Sequence, residues 1–183
     1  MNLPNKLSLL RVALIPVMVA LMYPGTPVCN GLAAAVFALA SLTDFLDGHI
    51  ARKHHIVTDF GRFVDPVADK LLVLSALIML IQQGLMPAWA TVIILARELC
   101  VDGLRMVAVT HGQVIAAGKL GKIKTVTQMA AVMLLLLLVP VSGEGLLGHG
   151  GAVFADAVMY VSAAMTVVSG VDYLVRNRDV LKE

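Results

Sequence analysis

Stretches of aliphatic residues long enough to cross a lipid bilayer recur along this chain and restrict its fold more than any other feature. A span needs roughly 20 apolar residues to cover about 30 Å of hydrocarbon. Six can be drawn, at about residues 3–23, 30–51, 66–82, 86–109, 120–140 and 151–175. With 59% of the 183 residues hydrophobic and 14% charged, a water-soluble core could not absorb so much apolar surface, so the bilayer is the expected solvent. Turn chemistry marks the breaks: Tyr23-Pro24-Gly25-Thr26-Pro27, Gln82-Gln83-Gly84, and the glycine-rich stretch from Pro140 to Gly151. No repeat, low-complexity tract or soluble domain intervenes, which predicts a single all-α, polytopic membrane domain over residues 1–183. The first run, Leu7 to Tyr23, follows a basic start as a secretory signal would. No small-x-small cleavage site follows it, and it is expected to be a retained helix. Cys29 and Cys100 supply neither a disulfide framework nor a metal site.

Basic residues orient such a chain, because Lys and Arg are held on the cytoplasmic side during insertion. Lys6 and Arg11 lie near the start, and Arg52, Lys53, Arg62 and Lys70 surround the second connection. Arg97, Arg105, Lys119, Lys122 and Lys124 flank the fourth, and Arg176, Arg178 and Lys182 follow the last span. The three alternate connections carry no Lys or Arg. The expectation is a multi-pass protein of the cell (inner or plasma) membrane with both termini in the cytosol.

Carboxylates are as unevenly placed. Asp44, Asp47, Asp59, Asp65 and Asp69 crowd the second cytosolic connection and its flanking helix ends, where an ionised acid is costly unless paired, metal-bound or hydrated. On a helix Asp44 and Asp47 lie about 60° apart around the axis and Asp65 and Asp69 about 40°, so each pair shares a face. If the second and third spans pack antiparallel, four carboxylates meet in one small volume. Such all-oxygen ligation suits a hard cation, Mg²⁺ or Mn²⁺. Gly48 and Gly61 would let phosphates approach the backbone, and Arg52 could fork onto one. The combination implies a diphosphate bridged by two metal ions. A lone Asp at a helix end is ordinarily a cap, and Asp65-Pro66 has the form of a helix start. Caps, however, do not require four acids, two glycines and Ala51-Arg52 at these separations. His49, His54 and His55 read as interfacial loop residues.

The arrangement D-x2-D-G-x2-A-R-x8-G-x3-D-x3-D, eight specified positions over 26 residues, resembles the signature of the CDP-alcohol phosphotransferase family without departure. The phosphatidylglycerophosphate synthase branch is similar over most of the chain. The likeness runs through Asn2-Leu-Pro-Asn5-Lys-Leu-Ser8-Leu-Leu-Arg11, Val64 to Lys70, Ala96-Arg97-Glu98, Leu104-Arg105, and Gly121-Lys122-Ile-Lys124-Thr125 to Gln128. The resemblance implies six transmembrane helices around a cytosol-facing polar cavity, usually in a homodimer. It also implies a metal-dependent reaction in which an acceptor hydroxyl displaces CMP from CDP-diacylglycerol, with no nucleic-acid partner. Carried over by position, Asp44 and Asp65 would bridge both metals, Asp47 would complete one site and Asp69 the other, and Asp69 would be the general base. Gly48, Arg52 and Thr58 resemble cytidine-diphosphate contacts, and Asn5 and Ser8 would line the same cavity.

The acceptor expected from that branch is sn-glycerol 3-phosphate, an anion that needs cations besides the metals. Arg97 and Arg105 are separated by about 80° around a helix and roughly 12 Å along it, so their long side chains could converge on one cavity. Lys119, Lys122 and Lys124 approach from the next span, where exposed backbone N–H groups favour an anion. Each lysine could equally be a positive-inside anchor among membrane lipids. Arg97 either pairs with Glu98 or faces the cavity, since a lipid-facing charge would be costly. The resemblance places acceptor-phosphate contacts near Arg97, Arg105 and Lys124. Inositol phosphate, serine and phosphatidylglycerol are alternative acceptors that the acidic motif does not separate. A divalent-cation transporter is a reading of another class, but its acids should recur at several depths, and here only Asp156 and Asp172 lie apart. The one-sided Lys and Arg distribution predicts that cysteines introduced at the termini and in the 52–65 connection react only with reagent on the cytosolic side of sealed vesicles. Labelling from outside would reverse the topology.

Overall fold

The structure is a computed structural model that describes residues 3–54, 59–113, 115–116, 118–138 and 148–181. Side chains are described for 5–43, 64–113, 115–116, 118–138, 150–178 and 180. Among these residues the chain forms six α-helices and no strand: α1 Leu3–Met22, α2 Pro27–His54, α3 Asp59–Gln82, α4 Ala88–Thr110, α5 Lys119–Leu138 and α6 Gly148–Arg176, followed by a 3-10 turn at Arg178–Leu181. Three of them are long and apolar enough to cross a membrane, over Asn5–Met22, Lys119–Leu138 and Gly150–Arg176, and α2 contributes a shorter apolar stretch, Pro27–Thr43. Helices α3 and α4 fall short by that measure because they carry charged residues clustered at the polar end: Asp65 to Lys70, and Arg97 to Arg105.

The ends of the helices follow from local chemistry. Pro27 opens α2 at the position where its missing N–H is not needed, and Thr26 Oγ1 accepts the N–H of Cys29 at 3.3 Å. Gly84, at φ +73°, ends α3: its N–H reaches the carbonyl of Ile81 and that of Leu85 the carbonyl of Leu80, at 3.0 and 2.9 Å, which satisfies carbonyls the helix leaves open. Gly112 closes α4 in the same way. One boundary differs from expectation. Helix α3 begins at Asp59 rather than Pro66, so Asp65 sits inside the helix and not at its cap, and Pro66 removes one internal backbone donor. The connection between α2 and α3 is correspondingly reduced to residues 55–58, outside the described residues.

Helix α1 packs along α2 and α3, α5 pairs with α6, α6 also packs on α4, and α2 against α5 joins the two halves. The core is built from Met18 and Met22, Phe37, Leu72 and Leu80, Ile94, Val132 and Leu135, with Ala33, Ala40, Ala76, Ala90 and Ala155 where helices approach closely. The outside is apolar too: Val17, Leu32, Leu39, Ile78, Val92, Leu99, Val126 and Val161 are exposed. Helices apolar on every face fit a lipid environment, where burial does not distinguish inside from outside.

Polar side chains lock the end of the bundle away from the acidic motif. Buried Asn30 and half-buried Gln83 exchange two amide hydrogen bonds, each 3.0 Å, and the Gln83 amide also donates to the carbonyl of Met22. This ties the end of α1, the start of α2 and the end of α3 together. Replacing Gln83 with Leu leaves the Asn30 amide buried without its partner, a loss of about 1–3 kcal/mol. The expected outcome is a lower thermal midpoint in detergent, with the double replacement Asn30→Leu and Gln83→Leu less damaging than the single one. Equal midpoints for the wild type and Gln83→Leu would remove the clamp.

Candidate active site

The opposite end collects charge. Asp65 and Asp69 are one helical turn apart on α3, and Ser8 of α1 donates its hydroxyl to Asp65 Oδ1 at 2.5 Å. Asn5 and Ser8 are both buried on α1, and the bond from Ser8 brings that face of α1 to the acidic part of α3. Asp44, Asp47, Gly48 and Arg52 belong to the last turns of α2, which the short connection places at the same end of the bundle. Their side chains lie outside the described residues, and Thr58 lies outside them altogether. Among the described residues no three His, Cys, Asp or Glu side chains form a metal-binding group. The chemistry of the donors, carboxylate oxygens with a hydroxyl supporting one of them, fits a hard divalent cation.

Beside Asp69 a cleft of about 250 Å³ opens between α3, α4 and the start of α5, lined by Asp69, Lys70, Glu98, Asp102, Arg105, Lys122 and Thr125 among others. A smaller pocket of about 40 Å³ continues from it, with Asp69, Lys70, Glu98 and Lys124 set against Val73, Ile94 and Met129. Two ion pairs stitch the walls: Lys70 of α3 with Asp102 of α4, and Lys124 of α5 with Glu98 of α4. Glu98 also accepts from Arg97 Nη1 at 3.1 Å. Lys124, 4% exposed, is therefore a buried cation whose charge is already matched. Arg105 donates from Nε to the Tyr173 hydroxyl of α6 at 3.0 Å, its guanidinium carbon 5.5 Å from the ring centre.

The expected acceptor-site cations thus separate into groups. Arg105 and Lys122 line the cleft with Asp69, and Lys124 lines the pocket behind it. Lys119 faces a different cavity of about 420 Å³ with Asp172, Tyr173, Arg176 and Asn177. Arg97 takes the first of its two expected courses, pairing with Glu98. Its stem passes so close to α6 that a methyl group on Gly170 would lie 2.9 Å from its Cγ. Asp102 and Tyr173 had no role in the sequence reading, Lys70 served there only for orientation, and Glu98 only as a partner for Arg97. Their signal was periodicity: Glu98, Asp102 and Arg105 stand at i, i+4 and i+7, a polar stripe on an otherwise apolar helix.

Removing one member of a buried ion pair leaves the other uncompensated, at about 3–5 kcal/mol. Glu98→Gln is therefore expected to lower the thermal midpoint markedly, and adding Lys124→Met should recover most of the loss. An additive effect of the two substitutions would show that the pair contributes nothing to the fold.

Comparison with known proteins accords with this constellation. A model of the CDP-alcohol phosphatidyltransferase family matches residues 1–168. The chain is 44% identical over 199 residues to the CDP-diacylglycerol--glycerol-3-phosphate 3-phosphatidyltransferase of Bacillus subtilis (strain 168), covering 99% of this chain and 97% of that protein. It is 38% identical over 172 residues to the protein of the same name from Rickettsia typhi, covering 94% of each. It is 37% identical over 187 residues to CDP-diacylglycerol--glycerol-3-phosphate 3-phosphatidyltransferase 2 of Arabidopsis thaliana, covering 94% of this chain and 78% of that one. The family match covers the acidic motif, the α3 carboxylates and the polar stripe of α4 alike, and the chain belongs to the CDP-alcohol phosphatidyltransferase family.

Proposed function

We propose that this chain transfers the phosphatidyl group of CDP-diacylglycerol to sn-glycerol 3-phosphate, giving phosphatidylglycerophosphate and CMP. The observation that carries the proposal is the pairing of an unbroken acidic motif with relatives that bear this activity in their names and align over nearly the whole chain. The proposed setting is one domain, residues 1–183, crossing the plasma membrane six times as a homodimer. Both termini and the polar cavity would face the cytosol. All six helices reach the length of about 20 residues that a span requires, and the charged turns of α2, α3 and α4 would lie at or near one membrane surface.

Asp44, Asp47, Asp65 and Asp69 are the residues assigned to hold two divalent ions, Mg²⁺ or Mn²⁺. Bound there, the ions would neutralise charge on the diphosphate and on the departing CMP oxygen. Gly48, Arg52 and Thr58 would contact the cytidine diphosphate, with Asn5 and Ser8 lining the same cavity. Ser8 holds Asp65 by its hydroxyl, which fixes the orientation of that carboxylate. The acceptor hydroxyl oxygen would form a bond to the phosphatidyl phosphorus while the bond from that phosphorus to the CMP oxygen breaks, and Asp69 would take the hydroxyl proton. That Asp69 shares its cleft with Arg105 and Lys122 supports a base and two phosphate-binding cations acting around one space. Arg97 and Lys124 would act from behind, with Glu98 between them.

Purified protein should release CMP from CDP-diacylglycerol with sn-glycerol 3-phosphate in preference to inositol phosphate, serine or phosphatidylglycerol. Chelation should stop the reaction and added Mg²⁺ or Mn²⁺ restore it. Asn in place of Asp44, Asp47, Asp65 or Asp69 should lower turnover by about 10²-fold or more. Preference for another acceptor would overturn the substrate assignment, and full activity in any Asn variant would overturn the role of that carboxylate.

A further inference from the structure

Arg105 and Lys122 differ from the other cations of the cleft and of the pocket behind it: among the described residues neither makes an ion pair, whereas Lys70 and Lys124 are matched by Asp102 and Glu98. A phosphate entering the cleft would therefore meet two uncompensated cations, of which Arg105 alone can form two parallel hydrogen bonds. A guanidinium on a flexible stem adopts many orientations, and binding through it is weakened by the freedom lost. In this structure that freedom is already restricted. The Tyr173 hydroxyl oxygen accepts from Arg105 Nε at 3.0 Å, and the tyrosine ring lies beside the guanidinium with the cation's carbon 5.5 Å from the ring centre.

We infer that Tyr173 is a positioning residue for the acceptor's phosphate: it holds Arg105 by Nε and ring so that the Nη1–Nη2 edge is the one presented to the cleft. The inference rests on the proposed phosphorylated acceptor and adds to it a residue on α6 that does not line the cleft. Tyr173 is well placed to be rigid. It is 6% exposed and packs with Val101 and Leu104 of α4, next to Ile115 and Val180. Its ring is held by the same helix that carries Arg105, so the orientation of the guanidinium is referred to α4 itself. The contact joins a residue that lines the cleft, Arg105, to one that lines the 420 Å³ cavity, Tyr173.

The test is Tyr173→Phe in the full-length protein, which keeps the ring packing and removes the oxygen that Nε meets. With CMP release followed while each substrate is varied separately, KM for sn-glycerol 3-phosphate should rise roughly five- to twenty-fold. KM for CDP-diacylglycerol and kcat should stay within about twofold of the wild type. In an Arg105→Lys background, where there is no Nε to hold, adding Tyr173→Phe should raise the acceptor KM by less than about twofold. Partial unfolding would lower the active fraction and hence the maximal rate without altering either KM, so the KM comparison stands even if the variant is less stable. An unchanged acceptor KM in Tyr173→Phe, an equal rise for both substrates, or full additivity with Arg105→Lys would overturn the inference. Failure of the underlying reading looks different: the wild-type protein would not release CMP with sn-glycerol 3-phosphate at all.

Discussion

Seven charged side chains, from Asp69 to Lys124, gather within three helices that are otherwise aliphatic, and one of them, Lys124, is buried. In such surroundings an isolated charge is unstable, and the arrangement of the polar end follows from satisfying that condition. Glu98 is the centre of it. One carboxylate accepts from a lysine on α5 and from the arginine beside it on α4, while Asp102, one turn on, takes the lysine of α3. The three walls of the cleft are therefore joined by charge pairing as well as by apolar contact. The groups left outside these pairs, Arg105 and Lys122, border the space where an anionic ligand would supply the counter-charge.

The two ends of the bundle use polar residues for different purposes. At the Asn30 and Gln83 end the amides are neutral and reciprocally bonded, with Asn30 buried, so no charge there attracts a ligand. At the other end the bonds are ionic or involve single hydroxyls, with cavities between them. A fold whose core is uniformly apolar gains little registry from the core itself, because one aliphatic contact resembles another. The amide clamp fixes one end of α1, α2 and α3, and the Ser8 bond to Asp65 fixes α1 against α3 at the other.

Much of this was legible beforehand, for identifiable reasons. The six helices followed from run length and turn residues, signals that depend on neighbours in sequence alone. Gly84 illustrates this, since its positive φ follows from the need to end a helix. The start of α3 was misplaced because Asp-Pro marks helix starts in general, whereas here the helix begins earlier and runs through Pro66. The i, i+4 spacing of Asp65 and Asp69 predicted a shared face correctly. What sequence could not give was pairing between helices. Glu98 was noticed only as a neighbour of Arg97, yet its stronger partner is 26 positions away on α5, and Lys119 was grouped with lysines from which the structure separates it. Those outcomes depend on how α4, α5 and α6 rotate against one another, and uniform aliphatic surfaces carry no sign of it.

The passage of the Arg97 stem against Gly170 bears on how this molecule can move. A side chain seated where a neighbouring helix has no Cβ acts as a key in a slot, resisting both sliding and rotation of α6 along α4. Eight residues further along α4, Arg105 meets Tyr173 of the same partner helix, giving a second point of attachment. Two such points prevent pivoting about either one. Helices α4 and α6 should then travel as one rigid blade with α5 packed along α6, and any breathing that admits a lipid headgroup must come from the α3 side, whose ion pair to α4, Lys70 with Asp102, can exchange partners with an incoming anion.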